Sequence, residues 1–162
     1  MIDGTNIKRQ DNSLEFQNRG CAGGYLSESL KYASMNPIFK QRSYPFKGSE
    51  QKCKNLKAFD GKSGEKEFFQ LKEFQRILPE PIEVKKALNQ SPVIASIMGG
   101  SENFKNYKSG IIDQCEPNLK SNHAVLIVGY GTENLDGLPV EYFIIKSYSS
   151  IKFSIIIIIH LI

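Results

Sequence analysis

The residues best suited to chemistry in this 162-residue chain lie in Ser121-Asn122-His123-Ala124-Val125-Leu126-Ile127-Val128-Gly129-Tyr130-Gly131. A histidine stands directly before an apolar run, and a Gly-Tyr-Gly turn closes that run. Imidazole titrates near neutrality, so it can take and return a proton under conditions where few other side chains can. It acts as a general base only where an element holds it within reach of the group it deprotonates. The run itself, rich in Val and Ile and bounded by turn residues, predicts a buried β-strand. A histidine at the mouth of such a strand is rigidly held and can face a cleft. It can equally be a histidine that ends a strand in a polar loop, and this stretch alone does not separate the two.

The elements around it follow from spacing. Residues 1–19 are polar, with turn-prone Asp11-Asn12-Ser13, and predict a loop or frayed segment. Gly20-Cys21-Ala22-Gly23-Gly24-Tyr25 is a glycine-rich turn that lets another backbone approach closely. Leu26, Leu30 and Ala33 fall at helical spacing, which predicts a helix from Ser27 to Met35 with Ser27 as its N-cap. Asn36-Pro37 ends it, because the residue before proline disfavours the α region. Glu65 to Ile77 fits either a strand followed by a helical turn or one short helix. Ile82 to Leu88 reads as a short amphipathic helix, Val93 to Met98 as a strand, and Ile111-Ile112 begins a short extended piece up to Cys115. The focal strand covers Ala124 to Tyr130, a polar turn covers Glu133 to Gly137, and a further strand covers Val140 to Lys146. That pair predicts a hairpin with a loop of several residues. The first half is mostly helix and loop, the second mostly β.

Composition excludes more than it selects. A 40% apolar and 23% charged chain is of ordinary globular make-up. The formal charge of +4 is modest and the lysines are scattered, so Lys52, Lys54 and Lys57 read as a solvated face and nucleic acid is not an expected partner. The N-terminal Met-Ile-Asp-Gly stretch has neither an apolar core nor a small-residue cleavage site, which predicts no signal peptide. Cys21, Cys53 and Cys115 are widely spaced and match no zinc pattern, and no metal or cofactor is implied. Residues 151–162, with five consecutive isoleucines, are unlike the rest. The run is shorter than the roughly 20 apolar residues of a membrane span. It reads either as a buried terminal strand or as out-of-place sequence, and the second is favoured because recognisable motifs stop just ahead of it.

Four features, in order, resemble the papain-like cysteine proteases. Gly20-Cys21-Ala22-Gly23-Gly24 is similar to the family's Gly-Cys-x-Gly-Gly loop, and Tyr44-Pro45-Phe46 with Cys53 to its Tyr-Pro-Tyr…Cys segment. Ser91-Pro92-Val93, continuing through Phe104, Tyr107 and Gly110-Ile111 to Cys115, resembles its Gly-Pro-Val segment. Asn122-His123-Ala124-Val125 with Val128-Gly129-Tyr130-Gly131 resembles the segment of its catalytic histidine. The resemblance implies an α+β fold, with the end of the helical left lobe and most of the antiparallel β right lobe, as a partial peptidase domain over residues 20–150. It implies peptide-bond hydrolysis by Cys/His acyl transfer on peptide or protein substrates, with His123 as the base. It further implies that the Gly23 and Gly24 backbone pairs with an extended substrate, that Tyr25, Ser96 and Ala124 line the specificity pocket, and that the setting is lysosomal or extracellular.

The departures carry equal weight. Nothing before Cys21 matches the family's Gln…Cys-Gly-Ser-Cys-Trp segment, which holds the nucleophile and the oxyanion glutamine. Tyr142-Phe143-Ile144-Ile145-Lys146 resembles the strand before Asn-Ser-Trp-Gly, yet Ser147-Tyr148-Ser149-Ser150 follows, so the orienting asparagine is absent. By the same resemblance each cysteine corresponds to one half of a family disulfide whose partner this sequence does not supply. The expectation is a peptidase relative that is inactive as these 162 residues. The alternatives are a noncatalytic peptide-binding homologue, or a truncated gene product without a function of its own.

Overall fold

The computed structural model describes residues 18–49, 51, 68–113, 120–149 and 152–158, in two compact units, 1–75 and 76–162. Cys53 and Cys115 lie outside the described residues, as does most of the segment predicted as an N-terminal loop.

In the first unit a 3-10 turn at Gly20–Ala22 leads into helix α1, Leu26–Met35. The helix begins one residue earlier than predicted. Its N-cap is the extended Tyr25, without a side-chain cap, and Ser27 lies inside the first turn instead. Asn36, extended before Pro37, ends it as expected, its N–H bonding back to Tyr32 O at 2.8 Å. Two short strands, β1 (Ile38–Phe39) and β2 (Phe68–Phe69), pair antiparallel, with Phe39 and Phe68 ring to ring at 6.0 Å. The residues after Phe69 form neither a helical turn nor a short helix. Their polar groups bond back to α1, through Leu71 N–H to Ala33 O and Gln70 Nε2 to Ser34 O. That contact outcompetes a local helix.

The second unit is a five-stranded sheet carrying a helix. Helix α2, Pro81–Leu88, starts on a proline, whose missing N–H costs nothing in the first turn, and ends in Lys85 and Lys86, which suit the negative end of its dipole. The strands are β3 (Val93–Ile97), β4 (Ile111–Ile112), β5 (His123–Leu135), β6 (Leu138–Ser149) and β7 (Lys152–Ile158), in spatial order β3-β5-β6-β7-β4. A one-turn helix α3, Glu102–Lys105, sits between β3 and β4. The β5–β6 hairpin is longer and tighter than the sequence predicts. Leu135 pairs with Leu138, leaving a two-residue Asp136-Gly137 turn with φ of 52° and 85°. Two successive positive φ values match the right-handed twist of the flanking strands, and Asp-Gly tolerates them well. The segment 152–158 is a strand bonded antiparallel to β6 and parallel to β4.

The core lies between α2 and one face of this sheet. Val84 from the helix meets Val125, Ile127, Phe143 and Ile145, with Leu88, Val93 and Phe104 packed alongside. Ile127 and Ile145 face each other across β5 and β6 and are both fully buried. Their burial stabilises the pair by roughly 1.5–3 kcal/mol per side chain. A register shift between Ile127 and Gly129 inserts one extra residue at Val128. Such a bulge changes which residues share a face beyond it.

Candidate active site

His123 is the first residue of β5, with Ile97 of β3 as its Cα partner. The segment before it is tied down by Asn122 N–H donating to Ile97 O at 2.9 Å. His123 is half-buried on the same side of β5 as the core residues Val125 and Ile127, while Ala124 between them is exposed.

Three neighbours fix the imidazole. Its Nε2 lies 2.8 Å from Oγ of Ser147, a hydrogen bond whose direction follows the tautomer. Phe104 meets it edge to face, ring centroids 5.6 Å apart. Phe104 is itself anchored on α3, whose N-cap Ser101 accepts the Phe104 N–H at 3.2 Å. The third neighbour is backbone. A Cβ added at Gly99 would fall 2.8 Å from His123 Cγ and 3.2 Å from Cδ2, and closer still to His123 Cβ, so only glycine lets the chain pass the ring here.

Ser147 went unremarked in the sequence except as a departure from the family's asparagine. Its residue is 2% exposed. Strand alternation is the signal that could have found it, because Phe143, Ile145 and Ser147 all face the core. Gly99 and Phe104 gave no chemical signal, since glycine after a strand and a lone aromatic are common in any fold.

Of the other expected site residues, Ser96 and Ala124 are Cα partners on β3 and β5, both exposed. Ser96 Oγ bonds Ser121 Oγ, joining the exposed end of β3 to the segment that leads into β5. Gly23, Gly24 and Tyr25 belong to the first unit, all exposed. Asn18, only 6% exposed, organises that loop: its Oδ1 accepts the Tyr25 N–H at 2.6 Å and its Nδ2 donates to Ser29 Oγ at 2.9 Å. A Cβ at Gly24 would strike the Asn18 carboxamide, so the second glycine of the pair is required for this packing. Gly23 has φ 92°, a left-handed value that glycine adopts without strain. Cys21 is exposed in the adjoining 3-10 turn. Among the described residues no three His, Cys, Asp or Glu side chains gather as a metal site would require, and no helix is long and apolar enough to cross a membrane.

The model of the papain family of cysteine proteases matches residues 10–149. Cathepsin S of Mus musculus is 30% identical over 158 residues, covering 94% of this chain and 42% of the relative. Cysteine proteinase 1 of Entamoeba histolytica is 36% identical over 118 residues, covering 70% and 35%, and chymopapain of Carica papaya is 36% identical over 131 residues, covering 79% and 34%. The chain thus spans less than half the length of these relatives. Among solved structures, one of the mite allergens Blo t 1 and Der p 1 superposes with a TM-score of 0.71 at 23% identity, over 89% of this chain and 45% of the other. A cysteine protease of Carica candamarcensis superposes at 0.64 with 21% identity, over 87% and 62%. The fold is α+β and papain-like, and the chain belongs to the papain family of cysteine proteases.

Proposed function

We propose that His123 is the general base of a papain-type acyl-transfer site, and that this chain carries the base-bearing part of that site without hydrolysing peptides by itself. The observation that carries the reading is the confinement of the imidazole by Ser147, Gly99 and Phe104 on the first residue of a core strand. A proton acceptor gains from such pre-organisation, because a fixed ring needs no reordering when the reacting group arrives.

The second half of the proposal rests on the sequence. These 162 residues contain no match to the nucleophile segment and its oxyanion glutamine. In serine enzymes of comparable design, loss of the catalytic residues leaves only about 10³–10⁴-fold acceleration over water. Loss of one oxyanion donor costs roughly 10²–10³ in rate. The purified chain is expected to show no peptide hydrolysis above background. Turnover that disappears in His123→Ala would refute the proposed inactivity. The base role is tested by joining a papain-family segment bearing the nucleophilic cysteine to the N-terminus. Hydrolysis that His123→Ala abolishes is the expected result, and hydrolysis indifferent to that change overturns the role.

Substrate contacts follow the same reading. In the first unit the Gly23 and Gly24 backbone pairs with an extended peptide or protein substrate and Tyr25 meets a substrate side chain; in the second, Ser96 and Ala124 meet the side chain that sets specificity. Their exposure supports this, since a residue must be open to solvent to meet a ligand. The same exposure supports a second reading, a noncatalytic peptide-binding homologue. Calorimetric titration with extended peptides tests it, and no heat at millimolar peptide would end it. The proposed setting is the lysosome or the cell exterior, where disulfides of the family type persist.

A further inference from the structure

We propose that Ser147 is a positioning residue for His123: its hydroxyl accepts the Nε2–H of the imidazole and thereby makes Nδ1 the nitrogen that takes the proton. This rests on the reading of His123 as a general base. The two groups meet because of strand register. Leu126 pairs with Lys146, so one step further Val125 stands opposite Ser147, and His123 is the diagonal neighbour on the same face. That places Nε2 and Oγ 2.8 Å apart, with Ser147 itself 2% exposed.

A hydroxyl both donates and accepts, so the distance alone admits two tautomers. If Ser147 donated, Nε2 would be the basic nitrogen but would be turned onto a buried hydroxyl, while Nδ1 carried the proton. Neither nitrogen could then accept a proton from a reacting group. If Ser147 accepts, the Nδ1 lone pair is available, and the Nε2–H bond persists when Nδ1 becomes protonated. Only the second arrangement lets the imidazole cycle between its two states without breaking the contact that holds it. Phe104 and the Gly99 backbone confine the ring without choosing a tautomer, since neither is seen to hydrogen bond it. The choice falls to Ser147.

A serine hydroxyl beside an imidazole is also the geometry of a nucleophile with its base. Burial decides against that role. An oxygen in a residue 2% exposed, on a strand bonded on both sides, cannot reach a substrate carbonyl carbon unless the sheet opens. Ser147 therefore acts through His123 and forms no bond to substrate.

The test uses the full chain. The sequence has two histidines, so His160→Gln leaves His123 as the sole imidazole. Long-range proton–nitrogen spectra of the nitrogen-15-labelled protein, at a pH where the ring is neutral, report both ring nitrogens. The expected pattern is a protonated-type shift at Nε2 and an unprotonated-type shift at Nδ1, well separated. Ser147→Thr, which keeps the hydroxyl, should retain that separation, and Ser147→Ala should narrow it as the tautomers average. The reverse tautomer, unchanged shifts in Ser147→Ala, or covalent labelling of Ser147 by a fluorophosphonate each overturns the proposal. If Ser147→Ala does not fold, the tautomer of the parent chain still decides. A failure here is distinct from failure of the base reading, which is judged by the His123 dependence of hydrolysis in the joined chain.

Discussion

Replacing Gly99 by alanine tests the confinement of His123 directly. An added Cβ would sit 2.8 Å from His123 Cγ and nearer to its Cβ, both atoms close to the strand backbone. Rotation about χ1 could swing Cγ away, but Cβ is fixed to the backbone and cannot move unless β5 or the Gly99 segment shifts by a good fraction of an ångström. Overpacking of this kind costs about 1–3 kcal/mol. Gly99 is not among the glycines with left-handed φ, so the penalty is steric and carries no backbone strain. Against it stands the smaller entropy of an unfolded chain with alanine, about 0.4–1 kcal/mol in favour of the variant. Net destabilisation is expected at about 1–2 kcal/mol. Gly100→Ala is the internal control. Its Cβ would meet only the Nδ2 end of the exposed Asn122 side chain, at 3.0 Å, which can rotate away. That variant is expected to be neutral or slightly more stable. Urea unfolding of the two variants measures the difference. Equal midpoints would refute this, as would a Gly99→Ala protein with undisturbed His123 ring resonances, since the close approach requires the ring or its strand to move.

Three further outcomes follow from the same packing. Ile145→Ala, at a fully buried position facing Ile127, should cost about 2–5 kcal/mol in denaturant unfolding, whereas Ile94→Ala on the open side of β3 should cost well under 1 kcal/mol. Asn18→Ala removes the acceptor for the Tyr25 N–H and the donor to Ser29, and should destabilise the first unit by about 1–3 kcal/mol, read as faster amide exchange at Tyr25. Lys85→Met should change stability by less than about 1 kcal/mol despite its 2.6 Å pair with Glu141, because Glu141 is 62% exposed and water screens the pair. Added salt should shrink that small difference further.

Much of the scaffold was legible in the chain, for reasons that can be traced residue by residue. The Val and Ile run of β5 and the amphipathic spacing from Ile82 to Leu88 in α2 act locally, through side-chain periodicity, and local signals survive in sequence. The hairpin turn was legible in principle as Asp136-Gly137, but the polar residues from Glu133 onward disguised a strand that continues exposed to Leu135. The segment after Phe69 was not legible, because its backbone groups bond to Ala33 and Ser34, far away in sequence. At the site, His123 was visible by type and by its place before an apolar run. Ser147 was visible only as a departure from a motif, because its role depends on a pairing register that no single stretch encodes.

That register joins the fold to the chemistry. From His123 to Ile127, odd-numbered residues of β5 face α2, and Ile145 and Ser147 of β6 share that face. Beyond the bulge at Val128 the parity reverses, so Tyr130, paired with Phe143, lies on the helix side, where Lys85 sits over its ring at 5.6 Å. One inserted residue thus lets Val125 and Ile127 before the bulge and Tyr130 beyond it share the face that α2 covers. Removing it would force a choice. Either the hairpin end keeps Tyr130 and Phe143 against α2 and His123 turns to the open face away from Ser147, or the site end keeps its pairing and the hairpin loses its packing. Deletion of Val128 should therefore cost more than truncation of its exposed side chain, with Val128→Ala nearly neutral in the same unfolding assay.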